Sequence, residues 1–333
     1  MNARLLMVMG MLAAGIVVGT HATASAQTAS SSSSRAPRTP WGDPDLQGMW
    51  TNATATPLER PKELEGKQVL TDQELVQRDR QVAQENSTDN APQAGNPGSH
   101  NEFWRERGRL GKRTSLLVDP PDGKLPSLTP EGQKAQTQLA AAGKTSPADG
   151  PESRSLFERC ITRGLPGAMM GDFYNHNYHI LRTPGYVVIS VEMIHDARII
   201  PLDGRPHVGP QIRQWLGDSR GRWEGNTLIV ETTNFNTIND RTINRMLGVI
   251  TFGTSATARV IERFARLDAN TIDYQVTVDD PVTYTRPWTA AVPMTTLQGM
   301  LFEFACHEGN YGMAGILTGY RAEEKAAEAG RKK

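Results

Sequence analysis

The sequence is poor in several things at once. Its 333 residues hold two cysteines and 6% aromatics, and its charges cancel, with 36 Lys+Arg against 36 Asp+Glu. Balanced charge argues against the electrostatic stripe that grips nucleic-acid phosphates, and no basic cluster with interleaved aromatics occurs. H-E-x-x-H, C-x-x-C and H-x-H are all missing, which removes the compact metal-binding signatures. A nucleotide or flavin glycine fingerprint is also missing, so no cofactor is predicted. No apolar run reaches the ~20 residues of a membrane span.

What is present begins at the N-terminus. Arg4, an apolar run from Leu5 to Gly19 and the A-x-A pattern Ala24-Ser25-Ala26 read as a secretory signal peptide over residues 1–26. Cleavage near Ala26 predicts a periplasmic or secreted bacterial protein with no stable membrane span. Its removal takes away Arg4 and no acid, leaving 35 bases against 36 acids. In an oxidising compartment, Cys160 and Cys306 are expected to form a disulfide. The closed loop would contribute up to about 5 kcal/mol by chain entropy. The competing reading is a reactive thiol at Cys306 beside His307. Neighbours on a strand point to opposite faces, which works against that pair.

Residues 27–40 form a Ser-rich leader expected to be disordered, with order beginning near Trp41. Residues 41–150 read as an entry strand, with Trp50 as a core anchor, followed by a helical and loop elaboration. Thr71-Asp72-Gln73-Glu74 is a capping box for a helix to about Gln84. Residues 86–100 read as a loop, and Thr129-Pro130 opens a second helix, to about Ala142, stopped by Gly143. From Asn177 the period becomes two. Val187, Ile189, Val191 and Met193 share one face; Val260, Glu262 and Phe264 share another; Ile272, Tyr274, Val276 and Val278 give the cleanest case. Met300, Phe302, Phe304 and Cys306 read as a last strand. Connectors such as Glu224-Gly225-Asn226 and Asp268-Ala269-Asn270 suit antiparallel hairpins. The predicted fold is therefore mainly β: an antiparallel barrel or strongly curled sheet over residues 151–320. A helical N-terminal elaboration precedes it, and a charged helical tail over 321–333 follows.

Ionisable residues crowd into 192–224. Glu192, His195 and Asp196, at the end of a strand, are candidates for acid/base work at a barrel mouth, where a carboxylate would set the imidazole tautomer. His307 and Tyr311, near the last strand, are further catalytic candidates. Arg198, Arg205, Arg220, Tyr174, Asn177 and Asn310 are candidates for binding a small-molecule ligand. Asp203-Gly204 reads as a hairpin turn. Gly217-x-Ser219-x-Gly221 matches the hydrolase nucleophile elbow, but strand rather than helix follows it, so the glycines are read as turn residues. A transition-metal site assembled from His176, His179, His195, His207 and His307 stays open as an alternative. Carriage of a ligand without chemistry is a second alternative. The sequence leaves the oligomeric state open.

Two resemblances follow. Asp45-Leu46-x-Gly48-x-Trp50 resembles the G-x-W entry strand of lipocalin-type barrels. The strings PWGDPDLQGMWTN, IHDARIIPLDGRPH, GDSRGRWEG and CHEGNYG resemble those of a widespread family of exported bacterial proteins of uncharacterised function. That resemblance runs from about Pro40 to Arg321 and implies export and a single architecture; it implies no mechanism.

Overall fold

A computed structural model of the protein describes residues 37–85, 87, 108–145, 149–171, 175–236 and 254–331. The expected signal peptide, most of the Ser-rich leader and all but Ser87 of the 86–100 loop lie outside them.

The alternating segments form one antiparallel sheet. In chain order its strands are β1 (Gly48–Thr51), β2 (Leu117–Asp119), β3 (Asn177–Thr183), β4 (Tyr186–Val191) and β5 (Ala197–Pro201). Then come β6 (Asp218–Glu224), β7 (Thr227–Thr233), β8 (Arg259–Arg266), β9 (Thr271–Asp279), β10 (Trp288–Ala291) and β11 (Met294–Thr296). The hydrogen-bonded order is β5-β4-β3-β1-β11-β9-β8-β7-β6, with β10 joining β9 to β2. The sheet curls until its two end strands approach, giving a nearly closed barrel. At that β5–β6 seam side chains take the place of a ladder: a Cβ on Gly221 would lie 2.6 Å from Leu202 Cδ2 and 3.0 Å from Ile200 Cγ2. Glycine is needed there for close approach.

The period-2 pattern puts one face of each strand inside. Trp50, Tyr178, Ile180, Ile189, Val230, Val260, Phe264, Ile272, Tyr274 and Val276 meet there in one core. Each fully buried large side chain of this kind contributes about 1.5–3 kcal/mol. The two ends of the barrel are closed differently. At the C-terminal end of β3, the Arg182 guanidinium stacks between Trp41, 5.9 Å away, and Trp223, 5.1 Å away, and pairs with Asp43. At the opposite end the buried segment Gly164–Met170 forms the plug. Asn52 Nδ2 donates to the Met169 carbonyl at 2.8 Å, and Tyr178 Oη donates to Asn52 Oδ1 at 3.1 Å.

Among the described residues three α-helices lie outside the sheet: α1 (Asp72–Glu85), α2 (Pro130–Thr145) and α3 (Tyr311–Arg331). The α1 capping box is made as expected, with Thr71 N donating to Glu74 Oε2 at 2.9 Å and Glu74 N donating to Thr71 Oγ1 at 3.3 Å. Helix α2 runs through Gly143 to Thr145, two residues beyond the expected stop.

Three further expectations need correction. Residues 300–306 form no strand; they are an irregular strap, because their backbone finds side-chain and loop partners instead of a ladder. The C-terminal helix starts at Tyr311, ten residues before the expected tail, because Asn310 Oδ1 caps it by accepting from Met313 N at 3.2 Å. Asp203-Gly204 is a bend, with Gly204 at φ 74°, but it lies in the long 202–217 connection between β5 and β6, which do not pair.

Candidate functional site

Where β4 hands over to β5, the chain makes a forced bend. Ile194 and His195 both have left-handed backbones, φ 65° and 49°, a costly conformation for a β-branched residue. Ile194 is only 2% exposed, so its burial holds the bend, and His195 emerges on the surface. Its Nδ1 lies 3.2 Å from the Phe304 carbonyl oxygen. A carbonyl only accepts, so in the neutral ring Nδ1 carries the proton and Nε2 keeps its lone pair. His307 is held the other way round. Its Nε2 lies 2.9 Å from the Cys160 carbonyl oxygen, which leaves Nδ1 unprotonated. The two rings meet edge to face, with centroids 6.2 Å apart and planes at 89°.

Three elements hold this pair. The Cys160–Cys306 disulfide, with Cα atoms 5.7 Å apart, joins the strap to the loop before the plug. Asn310 Nδ2 donates to the Glu158 carbonyl at 2.9 Å and lies 3.4 Å from Cys160 Sγ. Glu192 is 4% exposed; its Oε1 accepts from Phe302 N at 3.1 Å and its Oε2 from Asn177 Nδ2 at 2.6 Å. Glu192 and Asn177 therefore seat the strap. Asp196 adjoins His195 and accepts from Thr162 Oγ1 at 3.1 Å. Burial raises its carboxyl pKa above the usual value, against the opposing pull of Thr162 and the His195 charge.

The remaining sequence candidates lie elsewhere. Arg198 points into the barrel, where it pairs with Glu262, at 2.8 Å on its Nη1, and lies 3.4 Å from Ser219 Oγ. Tyr274 Oη donates to the same Glu262 at 2.9 Å, and Ser219 bonds Thr232 at 2.8 Å. Burial works against the Arg198 charge, but the Glu262 carboxylate more than offsets this, raising its pKa; burial and the same carboxylate hold the Tyr274 phenol well above its ordinary value. Arg205 chelates Asp203 and covers the Tyr186 ring at 5.9 Å. Arg220 pairs with Asp218 at 2.6 Å, and the other Asp218 oxygen lies 2.9 Å from His207 Nδ1. Tyr311, 83% exposed, is the first residue of α3. Tyr174 lies outside the described residues.

Beyond the His195–His307 pair, the histidines are not gathered at one metal site. His176 is buried, 3.3 Å from an Arg163 nitrogen, and burial followed by that cation holds its pKa well below normal. Among the described residues no three His, Cys, Asp or Glu side chains are grouped to hold a metal ion. Ser219 sits inside β6 with strand on both sides, not on an elbow. A cavity of about 210 Å³ lies away from the histidines, between α1 and the segments around Pro57 and Thr114.

Sequence reasoning missed Glu262, Thr162 and the Phe304 carbonyl. Glu262 had a signal: it alternates in phase with Val260 and Phe264, so it had to point inward and find a cation there. Thr162 and the backbone carbonyl carried none.

The chain matches no family model, no curated protein and no solved structure. Among the described residues no helix is long and apolar enough to cross a membrane.

Proposed function

We propose that this protein is an exported enzyme that acts on a small, partly apolar molecule by general acid/base chemistry at His195 and His307. The observation that carries the reading is the 3.2 Å contact between His195 Nδ1 and the Phe304 carbonyl. A base needs its lone pair on the side where substrate arrives, and a fixed partner on the other nitrogen provides that. His195 Nε2 is the base. His307, held in the opposite tautomer, offers a second proton-accepting nitrogen, Nδ1, and acts as acid once protonated. The reaction class is lyase, isomerase or hydrolase. The disulfide supports export, since such bonds persist in oxidising compartments.

The test is turnover of a panel of small esters, lactones and substrates prone to β-elimination by the mature protein. His195→Ala should lower the rate by roughly 10²–10⁴-fold, the range of one positioned acid/base group, with the unfolding midpoint unchanged. Undiminished turnover in that variant would overturn the reading.

A further inference from the structure

We infer that Glu192 is a positioning residue that sets the His195 tautomer from a distance, by way of the strap, and that the Cys160–Cys306 disulfide shares this task. The inference rests on the acid/base reading of His195. The Phe304 carbonyl that fixes His195 belongs to no ladder or helix, though it also accepts from Cys306 N at 2.8 Å, so its place depends on the anchors of the strap. One anchor is Phe302 N on the Glu192 carboxylate, two residues before Phe304. A second is the disulfide, two residues after it, reinforced by His307 and Asn310 on the Cys160 and Glu158 carbonyls. Glu192 has both oxygens occupied, by Phe302 N and by Asn177 Nδ2. His195 is not among the hydrogen-bond partners of that carboxylate, which moves it from the role of proton carrier to that of clamp.

The chemistry of imidazole gives this a direct readout. A histidine free in water favours the Nε2–H tautomer; the Phe304 carbonyl imposes Nδ1–H. Releasing the strap must therefore move the proton from Nδ1 to Nε2 and take the lone pair off the outward nitrogen. Reduction acts on the same strap. A dithiol reductant cleaves the Cys160–Cys306 bond, two S–H groups form on the protein, and the reductant closes to its own disulfide. The site then becomes redox-sensitive, although neither sulfur touches substrate.

The experiment is ¹⁵N–¹H long-range correlation NMR on the mature chain with ¹⁵N-histidine, the His195 signals being assigned by their loss in His195→Gln. The native protein should show His195 as Nδ1–H. Glu192→Ala should shift it mainly to Nε2–H, and Glu192→Gln, which keeps one acceptor for Phe302 N, should restore most of the native state. Reduction of the unmutated chain should give the same shift and reoxidation should reverse it, which keeps the test available if Glu192→Ala fails to fold. Indole signals of Trp50 and Trp288 report the core and should stay put. A His195 tautomer indifferent to both Glu192→Ala and reduction overturns the inference and leaves the acid/base reading standing. A tautomer that moves as stated, in a protein whose turnover survives His195→Ala, keeps the positioning role and removes the acid/base reading.

Discussion

Arg198 and His195 are three residues apart in the chain, yet they stand in opposite physical settings. Arg198 reaches into the barrel, where the Glu262 carboxylate, itself 0% exposed, and the Ser219 hydroxyl surround it. His195 faces solvent with one nitrogen held and the other available. Inside, charge is tolerated because it is paired; outside, the second imidazole nitrogen is left to solvent. The difference teaches that ionisable density along a chain does not define a site. What defines one is which groups retain unsatisfied capacity at an accessible surface.

That contrast can be broken at its buried side first. Glu262→Ala leaves Arg198 as an uncompensated buried cation and should cost about 3–5 kcal/mol in urea unfolding, whereas Arg198→Met with Glu262→Leu should recover most of the loss. If the single variant is as stable as the double, Glu262 does not offset the buried Arg198 charge. Next in size is the seam beside it. Gly221→Val puts a side chain against Leu202 and Ile200 and should cost about 1–3 kcal/mol by overpacking, read from the thermal midpoint together with Leu202→Ala as a relieving partner.

Surface groups should matter less to stability. Thr71→Ala removes the α1 cap and should cost about 1 kcal/mol. Its partner Glu74 has a pKa lowered from 4.5 to about 2, chiefly by the Lys67 side chain and then by Thr71. The sign follows: a depressed carboxyl stabilises above pH 4.5 and loses that contribution as the pH falls toward 2. Helix content of a Thr71→Ala variant should thus differ most from native at neutral pH. Asp196 runs in the opposite direction. Its raised pKa means the folded state holds a proton more tightly than the unfolded one, so its contribution declines as pH rises above 3.8. Asp196→Asn should gain a little stability at neutral pH and nothing in strong acid; a gain present in acid as well would contradict this origin.

Much of the barrel was legible because strand alternation is a burial pattern, and β9, with Ile272, Tyr274, Val276 and Val278 inside, shows it without interruption. The strap shows the limit. Met300, Phe302 and Phe304 alternate as a strand does, but Met300 and Phe302 are largely exposed, and Glu192 takes the Phe302 N–H that a ladder would have used. Periodicity records which side chains share a face, not whether a partner strand exists. The candidate site was legible at His195, Asp196, Glu192 and His307, which do gather at one end of the barrel. It was illegible at Arg198 because facing depends on the phase of β5, and at Phe304 because a backbone carbonyl carries no residue identity.

Sequence separation sets an expected order for closing the barrel. Hairpins such as β8–β9 close across a few residues, Leu267 to Asn270, whereas Arg198 meets Glu262 only after 64 residues have been arranged and Cys160 meets Cys306 across 146. Short loops close quickly, and long ones wait for the structure between them. By that measure β5 and β6, joined by residues 202–217, meet early, and β1 against β11, with Trp50 opposite Thr296, is expected to close the barrel late. The two histidines, which depend on the strap and on a disulfide spanning 146 residues, are expected to come together late as well.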